Sequence, residues 1–273
     1  MDGYEEGKLS DLNQYYEFVS NLKKVNRRLI TNYYLQEENL KEALKYGRAM
    51  YIYQQGVFFN LIIKEDGFSR LYFHIADNKR YYFNLQNDIY VCDIILKKDE
   101  TAKEIITTLT KNNFNIYTRY NKWTCSAPQF GEFSSQIDVI TCREGNIEVV
   151  EELFCNFDIY SDFLPKKDKI DIFISEKNFL TAYDMDNKML GALIYSKKGN
   201  LITEDFLFVK KEARGFGLGC YLHQRLYQIY YETNMKYIAW IREDNIQSSK
   251  LHSSFNYQME PILKLTLMKG KEK

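Results

Sequence analysis

The sequence predicts an α/β protein with a mixed sheet, divided into two domains. Short runs rich in Val, Ile, Phe and Tyr alternate with segments whose apolar residues recur every three or four positions. A strand-like run over residues 201–209 leads through three glycines into a helical pattern. Residues 126–135, SAPQFGEFSS, combine Pro, Gly and Ser and are typical of a linker between domains. We therefore expect one domain over residues 1–125 and a second over 136–273.

The first domain begins with helical spacing and continues with strands. Apolar residues between positions 11 and 44 predict two helices. An amphipathic pattern predicts a further helix over 99–111, with Asp99 as a candidate cap. Strands are predicted at 50–53, 57–63, 71–75, 90–96 and 115–123.

The second domain alternates strands and helices in a definite order. Helices are predicted from the cap Asn146 to residue 157, over 170–175, after 218 and over 247–255. Strands are predicted at 137–141, 179–183, 190–195, 201–209, 237–241 and 262–268. The order is β-α-α-β-β-β-α-β-α-β.

The composition excludes several classes of protein. Lys plus Arg and Asp plus Glu both number 37, so the chain lacks the basic excess typical of nucleic-acid binders. Its five cysteines are scattered, which argues against structural zinc or a disulfide framework. The acidic N-terminus does not resemble a signal peptide, and no apolar run is long enough to cross a bilayer. We expect a cytoplasmic protein with neither nucleic acid nor membrane as a partner.

The glycine-rich turn has the features of a pyrophosphate site. Gly215, Gly217 and Gly219 alternate where a helix begins, so backbone amides can approach a ligand without interference from Cβ atoms. The first N–H groups of a helix lack intrahelical partners, and the helix dipole is positive there. Lys210, Lys211 and Arg214 add positive charge.

Other interpretations of this turn remain open. A dinucleotide-binding Gly-x-Gly-x-x-Gly would need glycine at Cys220, although Glu243 and Asp244 lie at a suitable distance for such a fold. A P-loop would need Gly-Lys-Ser/Thr, which does not follow these glycines. A strand-to-helix turn without a ligand is the plain alternative.

The pattern Arg214-x-x-Gly217-x-Gly219 after a strand closely resembles the acyl-CoA loop of the GNAT superfamily of N-acetyltransferases. Asp205 and Val209 fit the spacing of that family's central strand, and the predicted element order from residue 136 is the order of its fold. The resemblance implies acetyl-CoA as cosubstrate. It assigns CoA binding to Phe208, Val209, Arg214, Gly215, Phe216, Gly217, Leu218, Gly219 and Asn245, with the strand residues acting through their backbone.

A second part of the resemblance lies after the strand at 237–241. Asn245, Ser248 and Leu251 match the family's spacing. His252 stands where the family often has the Tyr that protonates the leaving thiolate, and Asn256-Tyr257 replaces Gly-Phe. His252 is therefore a candidate general acid, with a surface histidine as the alternative.

The acceptor amine needs a base, and the central strand offers two carboxylates. Asp205 fits the family spacing better and Glu204 is the alternate; alternation along a strand places them on opposite faces. An ordinary charge pair is the other interpretation of both residues. His74 and His223 look isolated and structural, and we expect no metal site.

The first domain resembles a degenerate GNAT half, with residues 89–96 as its central strand and no glycine in the following loop. An unrelated α+β domain is the alternative. The leading function is transfer of an acetyl or other acyl group from acetyl-CoA to the primary amine of a small molecule or peptide. A catalytically silent acyl-CoA-binding or scaffold protein is the second hypothesis. A homodimer is an open option for its assembly.

Overall fold

The structure is a computed structural model and describes residues 3–32, 37–85, 88–97, 100–128, 140–142, 146–231 and 234–270. The chain forms two compact units. Unit 1 comprises Met1–Arg119 and Ile262–Lys273, and unit 2 comprises Tyr120–Pro261. None of the helices in these ranges is long and apolar enough to cross a bilayer.

Unit 1 contains the predicted helices and strands and two short strands that the sequence pattern missed. The additional strands, β1 and β2, are short and have no apolar alternation. Asp99, the predicted cap of the third helix, lies outside the described residues. The strands are β1 (Glu5–Lys8), β2 (Ile30–Thr31), β3 (Ala49–Gln54), β4 (Phe58–Lys64), β5 (Ser69–Ile75), β6 (Tyr90–Lys97) and the start of β7 (Asn115–Cys125); the helices are α1 (Leu12–Val25), α2 (Glu37–Lys45) and α3 (Glu100–Lys111).

From residue 140 onward the helices and strands follow the predicted order β-α-α-β-β-β-α-β-α-β. Asn146 caps the first helix as expected, because its side chain accepts a hydrogen bond from the N–H of Val149 at 2.9 Å. Residues 129–139, which include most of the predicted linker, lie outside the described residues. The strands are β8 (Ile140–Cys142), β9 (Asn178–Tyr183), β10 (Met189–Lys198), β11 (Leu201–Val209), β12 (Lys236–Arg242) and β13 (Gln258–Lys269); the helices are α4 (Ile147–Asn156), α5 (Ile170–Glu176), α6 (Leu218–Ile229) and α7 (Ile246–Ser254).

The strand that ends each half of the sequence pairs with the sheet of the other half. Residues 120–125 of β7 pair with β12 and complete the sheet of unit 2. Residues 262–269 of β13 pair with β6 and complete the sheet of unit 1. The sequence placed the division at 126–135 and assigned residues 262–273 to the second domain. The observed units differ because strand pairing, which local composition does not reveal, decides where these two strands belong.

Both units repeat one topology. The sheet of unit 1 runs β1-β3-β4-β5-β6, and that of unit 2 runs β8-β9-β10-β11-β12. In each, the first three pairs are antiparallel and the fourth pair is parallel. The counterpart of β11 in unit 1 is therefore β5, not residues 89–96 as the sequence suggested. Helix α6 lies between β11 and β12, whereas the described residues between β5 and β6 contain no helix.

Helices cover both faces of the sheet in unit 2, and a separate apolar core fills each interface. On one face Leu218, Leu222 and Leu226 of α6 pack with the sheet. On the other face Val149, Val150 and Leu153 of α4 pack against the inward residues of β10 and β11. The amphipathic spacing of both helices, recognised in the sequence, is what buries these residues. The sheet between them is therefore held by packed helices on both faces.

Candidate active site

A cleft opens in unit 2 where the parallel strands β11 and β12 separate. Their pairing runs from Leu201 opposite Lys236 to Glu204 opposite Ala239 and then ends, although both strands continue for several residues. The cleft between the diverging strands has a volume of about 410 Å³. Residues 204–207 of β11, residues 239–242 of β12 and part of α7 line it. Backbone groups along these strand edges are thus available to an extended ligand.

A β-bulge lies at the start of the cleft. Ile194 of β10 is opposite Phe206, but its neighbour Tyr195 is opposite Glu204, so Asp205 is an extra residue in β11. Bulges bend a strand and redirect side chains, and they are frequent next to active sites. Burial still alternates along β11, with Glu204 buried and Asp205 partly exposed. The two adjacent carboxylates therefore differ in burial.

Asp205 lies at the cleft and has a cationic partner. Its carboxylate is 3.0 Å from the Nζ atom of Lys177 and accepts a hydrogen bond from the hydroxyl of Ser196. All three side chains are partly exposed. The carboxylate is therefore held in place while water still has access to it.

The glycine-rich turn leads from β11 into α6 and exposes the start of that helix. Gly215 and Gly217 have φ angles of +88° and +80°, a backbone conformation that residues with a Cβ atom rarely adopt. The first intrahelical bond joins the N–H of Tyr221 to the carbonyl of Gly217 at 3.0 Å. The preceding N–H groups of the helix thus have no carbonyl of their own helix to bind. Residues 214–217 are exposed, so this helix start is open to a ligand.

The three basic residues near the turn differ in what their side chains contact. Lys210 does not add free charge, because its Nζ lies 3.1 Å from Glu152 and 3.6 Å from Glu148 of α4. Arg214 donates its Nε–H to the carbonyl of Val209 at 3.0 Å and so fixes the turn to the end of β11. Lys211 is exposed.

Asn245 both caps α7 and lines the cleft. Its side-chain oxygen accepts a hydrogen bond from the N–H of Ser248 at 3.0 Å. Phe208, also expected near the cofactor, has its side chain in the apolar core, which is consistent with a role through the backbone alone.

A buried polar cluster lies at the inner end of the cleft. Nε2 of His223 and Nε2 of His252 lie 3.0 Å and 2.9 Å from the same oxygen, Oε2 of Glu204. The hydroxyl of Tyr257 donates to the other carboxylate oxygen, and the hydroxyl of Tyr227 donates to Tyr257. The three charged or titratable side chains of His223, His252 and Glu204 are at most 4% exposed.

The cluster shifts the ionisation of its members. Burial by itself raises the pKa of Glu204, but the charges and hydrogen bonds of His223 and His252 outweigh it and hold that pKa well below its usual range. Burial lowers the pKa of His223, yet the adjacent carboxylate and its hydrogen bond raise it overall. Burial and the same carboxylate raise the pKa of Tyr257 far above its usual value. Glu204 therefore remains ionised at neutral pH and is a weak base.

Two expectations about histidines are wrong. His223 is not isolated, since it binds the carboxylate of Glu204. His252 is not a surface residue, and both of its ring nitrogens are engaged, Nδ1 with the carbonyl of Ser248 at 2.8 Å and Nε2 with Glu204. This arrangement leaves no ring nitrogen free to act directly as the expected acid. The inward register of β11 could have placed Glu204 in the interior, but no local pattern in the sequence links it to His223.

The equivalent opening in unit 1 is filled by a side chain. Strands β5 and β6 also pair only briefly, at Ser69 with Tyr90 and at Arg70 with Val91. Beyond that point Asn32 bridges them. Its amide donates to the carbonyls of Leu71 and Asp93, both at 3.0 Å, and its oxygen accepts from the N–H of Phe73 at 2.6 Å. These backbone groups are therefore already satisfied inside the protein.

Comparison with known proteins agrees with this geometry. Residues 147–257 match the model of the acetyltransferase (GNAT) family. A search of curated proteins gave no match.

Three solved structures illustrate the likeness in fold. A GCN5-related N-acetyltransferase from Sphaerobacter thermophilus has 9% identity and a TM-score of 0.58, covering 97% of this chain and 95% of that one. A tandem GNAT protein from the clavulanic acid biosynthesis pathway has 10% identity and a TM-score of 0.59, covering 99% and 100%. A GCN5-related N-acetyltransferase from Kribbella flavida has 12% identity and a TM-score of 0.52, covering 94% and 95%. Residues 147–257 thus match the GNAT acetyltransferase family, and the fold of the chain is similar to that of a tandem GNAT protein.

Proposed function

We propose that this protein transfers an acyl group, acetyl in the first instance, from acetyl-CoA to a primary amine in unit 2. The observation that carries the proposal is the separation of β11 from β12 after Glu204 and Ala239, followed directly by the exposed start of α6. Diverging strand edges suit the amide groups of an extended pantetheine arm. A helix start suits its diphosphate, because free N–H groups and the positive end of the dipole both favour anions.

The proposed cofactor site follows the chain from β11 into α6. Phe208 and Val209 contribute backbone groups to the arm. Gly215, Phe216 and Gly217 form the turn around the diphosphate, Leu218 and Gly219 contribute the first N–H groups of α6, and Arg214 holds the turn against β11 through Val209. Asn245 borders the cleft on the opposite side.

Asp205 is the proposed base for the acceptor amine. It lies at the bulge, lines the cleft and remains accessible to water, whereas Glu204 is buried and contacts two imidazole nitrogens and a tyrosine hydroxyl. A carboxylate in this position can accept a proton from an ammonium group directly or through one water molecule. Most of the rate enhancement would then come from holding the amine against an already activated thioester.

A silent acyl-CoA-binding protein is the second candidate, and one observation favours it. His252 stands where an acid is expected, yet both its nitrogens are engaged within the buried cluster. A protein of this kind would bind acetyl-CoA and leave it intact in the presence of amines.

One experiment separates the two candidates. Acetyl-CoA is titrated into the full chain by calorimetry, and free thiol release is then followed over a panel of primary amines and lysine-containing peptides. Binding with amine-dependent thiol release supports the transferase. Binding without release on every amine supports the silent protein, and absence of binding contradicts both.

A further inference from the structure

The proposed function assigns no role to the two histidines in the buried cluster of Glu204, His223 and His252, and it does not explain how the charge of Glu204 is balanced there. Each histidine lies on a helix and directs Nδ1 at the carbonyl four residues earlier. The distances are 2.9 Å from His223 to Gly219 and 2.8 Å from His252 to Ser248. The two Nε2 atoms meet at one carboxylate oxygen. Every ring nitrogen in the cluster therefore faces an acceptor oxygen, and Nδ1 of His252 also lies 3.4 Å from the hydroxyl of Ser248.

A neutral imidazole carries one N–H and can satisfy only one of its two oxygens. If Nδ1–H donates to the helix carbonyl, the lone pair of Nε2 points at the carboxylate. Two such lone pairs then converge on Oε2 of Glu204, which is itself negatively charged. In this tautomer a cation between the three atoms, either a proton on each Nε2 or a single metal ion, removes the repulsion between them.

The donor set and its surroundings match those of a metal site. Histidines that bind metals usually donate their other ring N–H to a carbonyl or carboxylate, which fixes the tautomer and the ring, and both histidines here do so. All three potential ligand atoms lie within 4.8 Å of one another. Two ligands about 2.1 Å from one tetrahedral ion are about 3.4 Å apart, so contacts of hydrogen-bond length must widen by only about 0.4–0.5 Å to admit an ion. The observed contacts are 2.9 and 3.0 Å.

The surroundings of the cluster orient the carboxylate and leave the cluster accessible from the cleft. The hydroxyl of Tyr257 binds the other carboxylate oxygen, Oε1, and leaves Oε2 directed at the two histidines. Glu204 and His252 line the cleft, so an ion and a water ligand can enter from that side. A divalent ion beside one carboxylate has the same net charge as two imidazolium groups there, but it can also take water or an anion from the cleft as a further ligand.

We propose that Glu204, His223 and His252 bind a divalent first-row transition-metal ion, with Zn²⁺ as the first candidate. Two imidazoles and a carboxylate suit Zn²⁺ and also Fe²⁺, Co²⁺ and Ni²⁺. The site is independent of whether the protein transfers acyl groups, because its ligands are fixed by helices and a strand of the fold itself.

The test uses the full chain after treatment with a chelator. One equivalent of Co²⁺ is expected to give visible d–d absorption bands that added Zn²⁺ removes, and metal analysis is expected to give one ion per chain. His223→Gln and His252→Gln should each weaken Co²⁺ binding by at least about 100-fold, since each removes a direct ligand. His74→Gln is the matched control, because it replaces the third of the chain's three histidines and should leave binding unchanged.

Wild-type protein that shows neither absorption bands nor bound metal at a tenfold excess of Co²⁺ or Zn²⁺ overturns the proposal. So does binding that His223→Gln does not weaken. If the variants fail to fold, ¹⁵N spectra of the wild-type imidazoles distinguish a bound metal ion from two protonated rings. Nε2 signals that change on addition of Zn²⁺ support a metal site. Two imidazolium rings whose signals do not change on addition of Zn²⁺ mean that protons occupy the site, and this result overturns the proposal. Thiol release plays no part in these readouts, so failure here is distinct from failure of the transferase proposal.

Discussion

The side chain of Leu251 in α7 occupies the space next to Gly219 in α6. A Cβ atom at Gly219 would lie 3.3 Å from Cδ2 of Leu251, closer than most real contacts. Gly219 has no positive φ angle, whereas Gly215 and Gly217 do. The three glycines of one motif thus have two functions. Gly215 and Gly217 allow the backbone to turn, and Gly219 lets α6 and α7 pack closely at the side of the cleft.

Replacement of these glycines should impair binding of CoA. We expect Gly217→Val and Gly219→Val each to weaken binding of CoA at least tenfold, which corresponds to about 1.4 kcal/mol. The first strains a left-handed residue at the helix start, and the second pushes α6 away from Leu251. Calorimetric titration with CoA measures the effect. Gly199→Val, at a turn with φ of +60° outside the motif, controls for strain alone. Wild-type affinity in both motif variants would show that this turn does not hold the cofactor.

Asp205→Asn should separate turnover from cofactor binding. The amide keeps the shape of the side chain but cannot accept a proton at neutral pH, so we expect kcat to fall about 10²- to 10⁴-fold. The affinity for acetyl-CoA should change less than about threefold, because the proposed cofactor contacts lie elsewhere. Steady-state kinetics with the best amine of the panel provide both values. Asp186→Asn, in the exposed turn between β9 and β10, is the matched control. An unchanged kcat in Asp205→Asn would remove Asp205 as the base.

Asn32 should limit the chain to one cofactor site and stabilise unit 1. Asn32→Ala leaves the N–H of Phe73 and two carbonyls without their partner in a buried place, and each such group costs about 1–3 kcal/mol. We expect the free energy of unfolding in urea to fall by about 3 kcal/mol or more. Calorimetry of the wild-type protein should give one CoA per chain. Two equivalent sites would contradict the view that this side chain fills the opening of unit 1.

His74 should make the stability of the protein depend on pH. Burial, with a smaller effect of Lys23, lowers its pKa to about 4, and the hydroxyl of Tyr15 lies 3.0 Å from Nε2. The unfolded chain, with a pKa of about 6.5, binds more protons than the folded chain between these values. Stability is therefore complete above pH 6.5 and falls as the pH decreases toward 4, by up to about 3 kcal/mol.

The difference between wild-type and His74→Gln isolates this effect from other titrating groups. Urea unfolding from pH 4.5 to 8 should give a difference in unfolding free energy that favours the wild-type less as the pH falls. Glutamine keeps an acceptor for Tyr15 but does not titrate. A difference that stays constant over this range would mean that His74 accepts a proton in the folded state without cost.

Local patterns in the sequence predict much of the fold and part of the candidate site. The cap at Asn146, the alternating burial of β11 and the glycine turn before α6 depend on residues close in the chain, and the structure has each of them. The charge of Lys210 illustrates the limit. Its position beside the turn was evident, but its ion pairs with Glu148 and Glu152 depend on how α4 packs against the sheet.

The sequence by itself determined the order of elements from residue 140 onward, the glycine turn and the adjacent carboxylates of Glu204 and Asp205 on one strand. It could do so because backbone preferences and residue periodicity act over a few positions. Only the tertiary structure decided that β7 pairs with β12 and β13 pairs with β6. It also decided that Asn32 fills the opening in unit 1 and that Glu204 contacts His223 and His252. These contacts join residues from 19 positions apart, for Glu204 and His223, to 179 positions apart (269 − 90), for Lys269 and Tyr90. No short-range pattern records a hydrogen bond or strand pairing over such separations. Packing of the helices on both faces of each sheet brings them together.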